Sequence, residues 1–211
     1  MKRAALGFRV HSGWAVLIAL AVTKGAPVVL VRERIHLVEN FTYEFRQPYH
    51  TAEKLPLEKA RAFVARVRSE ARRLALRAVR ELKTELRDQG YSLTGFGLLL
   101  SSGRPLPAFA KILAAHSLIH TADGELFREA LLHAAEHTGL KPVAIRERDL
   151  TNSASRALRR KPADLAQRIS DLGRPLGPPW SQDEKFASLV AWLAASLPSS
   201  TSHSSQAREA R

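Results

Sequence analysis

The sequence predicts an α/β fold built on a mixed sheet. Three observations carry this: three strand-like segments follow one another within residues 4–38, a long amphipathic helix follows them, and the rest alternates short apolar strands with helices.

The first strand is expected at about Ala5–Val10, where Leu6, Phe8 and Val10 share one face and Arg9 lies on the other. His11-Ser12-Gly13 reads as a tight turn. Trp14–Val22 is an unbroken apolar run, which suits a strand covered on both faces. After the turn Thr23–Pro27, the segment Val28–Val38 interleaves Arg32, Arg34 and His36 with apolar residues, as an edge strand does. The three make an antiparallel meander.

Residues 40–55 read as irregular and aromatic-rich, with Phe41, Tyr43, Phe45 and Tyr49. Pro56–Asp88 then gives the clearest helical signal, with Ala60, Phe63, Val64, Val67, Ala71, Leu74, Ala75, Ala78, Leu82 and Leu86 at helical spacing. Its other face carries Arg66, Arg73, Arg77, Arg80 and Arg87 among Glu70, Glu81 and Glu85: a solvated, ion-paired face, or one that tracks phosphates. A buried strand is expected within Ser92–Ser101, and the loop Ser101–Pro105 follows. Helices are expected over Pro107–His120 and Glu125–His137, separated by a break at Thr121–Gly124 in which Asp123 caps the second. Lys141–Arg146 reads as a strand parallel to its predecessor. Further helices are expected at Pro162–Leu172 and Gln182–Leu193. Residues 1–197 thus read as one domain and the Ser-rich 198–211 as a disordered tail.

The 211 residues contain no cysteine, which excludes disulfides, thiolate metal sites and thiol nucleophiles and suits a reducing cytoplasm. Met1-Lys2-Arg3 ahead of Trp14–Val22 has some character of a signal peptide, but the nine-residue run is far short of the roughly 20 residues a membrane helix needs. An intracellular, cytoplasmic, membrane-free location is the expectation. The formal net charge of +13 favours a polyanionic partner, either nucleic acid or an acidic protein. Arg156, Arg159, Arg160 and Lys161, beside Asn152 and Ser153, form the best local candidate for phosphate contact, with a solvated charge run as the alternative. Oligomeric state is not encoded in any motif.

The order of elements (three antiparallel strands, helix, strand, helices, strand, terminal helix) resembles the ribonuclease H-like superfold, which includes Holliday-junction resolvases, transposases and actin-like ATPases. Trp180–Lys185 leading into Ala187–Leu193 is similar to the terminal helix of resolvase-type nucleases. The resemblance implies a carboxylate on strand one and others nearby that hold two divalent ions, magnesium or manganese, and an acid near the start of the terminal helix. On strand one, however, this chain offers Arg9 and His11, with no Asp or Glu before Arg32. Ser101–Arg104 adds none after the fourth strand. The leading expectation is a ribonuclease H-like module lacking the usual metal-binding acids, acting in nucleic-acid binding or protein interaction. The alternatives are a metal-dependent nuclease or other hydrolase with displaced acids, and a protein-interaction scaffold.

For a catalytic reading the candidate acids are Asp123, Glu125 and Asp183. Asp183 and Glu184 also suit the first turn of a helix, where the dipole favours acids. Glu147 and Asp149 follow the fifth strand, where α/β sheets place ligands, though Arg146 and Arg148 make an ion-paired loop there. His116 and His120 stand four apart, as do His133 and His137. Each pair can bind a metal on one helix face when a third ligand approaches, with Asp123, Glu125 or Glu129 as oxygen donors. The alternative is that these histidines cap helix ends. No metalloprotease, nucleophile-elbow, Walker or dinucleotide motif is present.

Overall fold

The computed structural model describes residues 1–101 and 105–197. The expected tail, 198–211, and most of the loop after the fourth strand lie outside the described residues.

The described residues form one five-stranded sheet in the order β3-β2-β1-β4-β5. Strands β1 (Lys2–His11), β2 (Trp14–Thr23) and β3 (Ala26–His36) are the antiparallel meander, closed at its first turn by Gly13 with φ +84°. Strand β4 (Tyr91–Leu100) pairs parallel to β1, and β5 (Pro142–Arg146) pairs parallel to β4. Between β3 and β4 lie two short helices, α1 (Tyr43–Arg46) and α2 (Pro48–Ala52), and the long α3 (Leu57–Asp88). Then come α4 (Phe109–Leu113), α5 (His116–His137), and, beyond β5, α6 (Leu150–Leu158), α7 (Pro162–Leu172) and α8 (Gln182–Ser196).

Two corrections concern the helices. Residues 40–55 are partly helical, and α5 runs unbroken through Thr121–Gly124, so Asp123 is no cap. The chain does break, but earlier, between Leu113 and His116. Gly124 costs the helix about 1 kcal/mol relative to alanine. Burial of its neighbours Ala122, Leu126 and Phe127 outweighs that cost. Helix α6 is a further element beyond those expected.

Each face of the sheet has its own core. Leu6, Phe8 and Val10 of β1, with Phe96 and Leu98 of β4, pack under α3 and α5, and the Phe8 and Phe96 rings stack at 4.7 Å. On the other face, Leu20 and Leu99 meet Leu150, Leu165, Ile169 and the apolar side of α8. There α8 lies almost on the backbone of the sheet. A Cβ on Gly7 would stand 2.0 Å from the Ala187 carbonyl oxygen, and one on Gly97 would stand 2.5 Å from that of Val190. These glycines set the depth of α8, and with it the place where its first turn meets the end of β1. Among the described residues no helix is long and apolar enough to cross a membrane.

Candidate functional site

Because side chains alternate along a strand, Arg9 and His11 share the α8 face of β1 with Gly7. The glycine contacts bring the first turn of α8 over them. Ser181 caps that helix: its hydroxyl accepts from the Asp183 N–H, and Glu184 accepts from the Ser181 N–H at 2.7 Å and the Ser181 hydroxyl at 2.5 Å. Glu184 is buried and committed to this capping box. Asp183, one residue earlier, is left to face the sheet.

There it meets two basic side chains. His11 Nε2 lies 2.8 Å from Asp183 Oδ2, and Arg9 Nε lies 3.6 Å from Asp183 Oδ1, an ion pair too long to be a hydrogen bond. Arg9 Nη2 reaches Glu147 Oε2 at 3.0 Å, just past the end of β5. The guanidinium thus joins two carboxylates from different elements at the C-terminal edge of the sheet. His11 stacks on Trp14 at 4.2 Å, and the Arg34 guanidinium covers the Trp14 ring at 3.7 Å.

A second group lies beside this one. Glu125 of α5 accepts from Ser101 Oγ at 2.6 Å and pairs with Arg128 at 3.3 Å, while Arg128 Nε donates to the Leu99 carbonyl at 3.2 Å. Burial lowers the Arg128 pKa first, Glu125 raises it, Arg9 lowers it further and Glu147 raises it, so the two groups sense each other's charge.

Asp123 points elsewhere. Two positions along a helix are about 200° around its axis, so Asp123 and Glu125 cannot share a face. Asp123 is 2% exposed. It accepts from the Tyr49 N–H at 2.7 Å and meets His50 Nδ1 at 2.5 Å. Burial raises its pKa, opposed by these hydrogen bonds. Asp183, Glu125 and Asp123 therefore occupy three separate hydrogen-bonded groups.

No family model and no curated protein sequence matches the chain. Solved structures do. One, of T. thermophilus RuvC in complex with a Holliday junction substrate, aligns with TM-score 0.52 and 13% identity over 92% of this chain and 93% of that one. A second structure of Thermus thermophilus RuvC aligns with TM-score 0.50 and 14% identity over the same shares. The fold is ribonuclease H-like, of the resolvase type. At these identities the likeness is one of fold.

The remaining sequence candidates fall into three places. Arg156 lies in the last turn of α6, Arg159 closes that helix with φ +51°, and Arg160 and Lys161 lead into α7. Arg160 is engaged by Asp164 at 3.1 Å and stands over the Trp192 ring at 5.8 Å. Arg156, Arg159 and Lys161 are exposed, with no ion pair among the described residues. Trp192 is nine residues along α8 from Asp183, about 13 Å at the helical rise, so this cluster is separate from Arg9.

His116 and His120 lie near the start of α5, on the side of Asp123, and His50 comes from α2 to meet them. The other pair behaves as helix-end histidines do: His137 Nδ1 lies 2.9 Å from the His133 carbonyl in the last turn.

The ion-paired loop expected after β5 is held by Asp149, which pairs with Arg146 and Arg148, while Glu147, the other candidate acid there, reaches Arg9 instead. No local signal marks His50, which only the tertiary fold brings to α5. The capping box at Ser181-Gln182-Asp183-Glu184, in contrast, was present in the sequence as S-x-x-E and would have separated the two acids.

Proposed function

We propose that this chain is a ribonuclease H-like module that binds nucleic acid without cleaving it by the two-metal route. The observation that carries the reading is the Arg9 guanidinium joined to both Glu147 and Asp183. Nucleases of this fold gather carboxylates around two divalent ions about 4 Å apart. Arg9 and His11 stand where the strand-one carboxylate is expected, and a fixed guanidinium cannot release its charge. It already neutralises the carboxylates a dication would require and repels the dication itself. The residues present therefore do not fit magnesium or manganese, and no catalytic step is assigned to them.

Support for nucleic-acid binding comes from the +13 charge, from the exposed Arg156, Arg159 and Lys161, and from the Holliday junction bound by a structural neighbour. The absence of cysteine agrees with a cytoplasmic setting.

Fluorescence anisotropy with labelled duplex, four-way junction and RNA, at low and near-physiological salt, tests this, with each mixture run on a gel after incubation with Mg²⁺ or Mn²⁺. The expected result is binding that survives physiological salt, prefers one structure and leaves the strands intact. Metal-dependent cleavage abolished by Asp183→Asn would overturn it in favour of a nuclease. Loss of all binding at physiological salt would overturn it in favour of an acidic protein partner.

A further inference from the structure

The cluster of His50, His116 and His120 has no part in the Arg9 group, and it has the composition of a metal centre. His116, His120 and Asp123 stand at i, i+4 and i+7 on α5, which places all three on one helix face. His50 of α2 packs against that face, with its ring centroid 4.4 Å from that of His120 and 5.3 Å from that of His116. One ligand-capable atom from each of the three histidines lies within 4.8 Å of the others. His116 Nε2 and His120 Nε2 are 3.0 Å apart. Two nitrogens bound to one tetrahedral zinc at about 2.05 Å are separated by about 3.3 Å, so this pair is already near the spacing a shared ion demands.

The third imidazole is set up from behind. His50 is 7% exposed, and its Nδ1 is held by the carboxylate of Asp123, which the Tyr49 N–H fixes in turn. With Nδ1 donating, the Nε2 lone pair of His50 is free for a metal. Zinc-bound histidines are typically oriented by such a carboxylate, which fixes the tautomer and strengthens the ligand. His116 and His120 are exposed, so an ion has a path from solvent.

We infer that His50, His116 and His120 bind one Zn²⁺, with Asp123 as the positioning residue behind His50 and water as the fourth ligand. Three histidines and an open fourth position form the donor set of zinc centres that retain a water, distinct from the closed four-ligand structural sites. The ion ties the connection between β3 and α3 onto α5. This inference is independent of the role given to Arg9.

The same helix supplies the control. His133 and His137 have the same spacing, with ring centroids 3.8 Å apart, but no third histidine completes a group there among the described residues. The chelator-treated full chain would be titrated with Zn²⁺ against a chromophoric competitor, and with Co²⁺ to read its visible spectrum. One equivalent of Zn²⁺ and a Co²⁺ spectrum of tetrahedral intensity are expected. His120→Ala, at an exposed position that leaves folding intact by circular dichroism, should weaken Zn²⁺ at least 100-fold. Asp123→Asn should weaken it about 10–100-fold. The double variant His133→Ala, His137→Ala should bind as the parent does. Binding that is absent, indifferent to His120→Ala, or lost in the His133/His137 variant would overturn the assignment.

Discussion

Replacing Arg9 by methionine keeps most of the apolar stem and deletes the charge that joins Glu147 to Asp183. At an effective dielectric constant of about 20, unit charges at the observed 3.0 and 3.6 Å attract by about 5.5 and 4.6 kcal/mol. Desolvation cancels most of this. Arg9 and Asp183 are 22% and 25% exposed, and Glu147, at 39%, is further screened by solvent. The variant also leaves two carboxylates without the guanidinium between them. A net loss of about 1–3 kcal/mol is expected, read by urea denaturation near pH 7. A double-mutant cycle with Asp183→Asn should return a coupling of about 1 kcal/mol. A loss below about 0.5 kcal/mol with no coupling, the range of ordinary surface substitutions, would refute the reasoning: Arg9 would then be a solvated surface charge.

Gly7→Ala should destabilise by about 3 kcal/mol or more in the same assay, since its Cβ would meet the Ala187 carbonyl at 2.0 Å. Gly25→Ala, with nothing within 4 Å but a φ of +77°, should cost only about 1 kcal/mol. Replacing Arg156, Arg159 and Lys161 by alanine should flatten the salt dependence of nucleic-acid affinity by about two to three units of log–log slope, measured by anisotropy. His133 should titrate below an ordinary histidine in an NMR pH series, because burial lowers its pKa first and the His137 and Arg72 charges add to this. Its folded-state pKa lies below its unfolded one, so its contribution to stability is present above the unfolded value of about 6.5 and is lost as pH falls through the folded value.

The fold was legible because its signals are local and repeated. The alternation of Leu6, Phe8 and Val10, the apolar run of β2 and the helical spacing along α3 each state one element, and their order leaves few ways to pair the strands. Thr121–Gly124 misled because Asp-Gly is strong turn chemistry when unburied. In the folded chain the Tyr49 N–H and His50 satisfy Asp123, and the helix continues.

The candidate site was legible only in part. The unusual Arg9 and the terminal-helix Asp183 were visible in the sequence, yet nothing local says that they meet. That depends on Gly7 and Gly97 admitting α8 onto the sheet, and on a capping box that occupies Glu184 and leaves Asp183 available. Likewise His116, His120 and Asp123 show their common face by spacing alone. His50, more than sixty residues earlier, reaches them through the packing of α2 against α5, which no periodicity encodes.

The central claim is that a fixed guanidinium takes the place of a metal ion between Glu147 and Asp183. Titration with Mn²⁺, followed by electron paramagnetic resonance in the parent, Arg9→Asp and Asp183→Asn proteins, tests it most directly. The expected result is no Mn²⁺ site in the parent that depends on Asp183, and a new one in Arg9→Asp that is lost when Asp183→Asn is added. Parent protein that binds Mn²⁺ and loses it with Asp183→Asn would contradict the account.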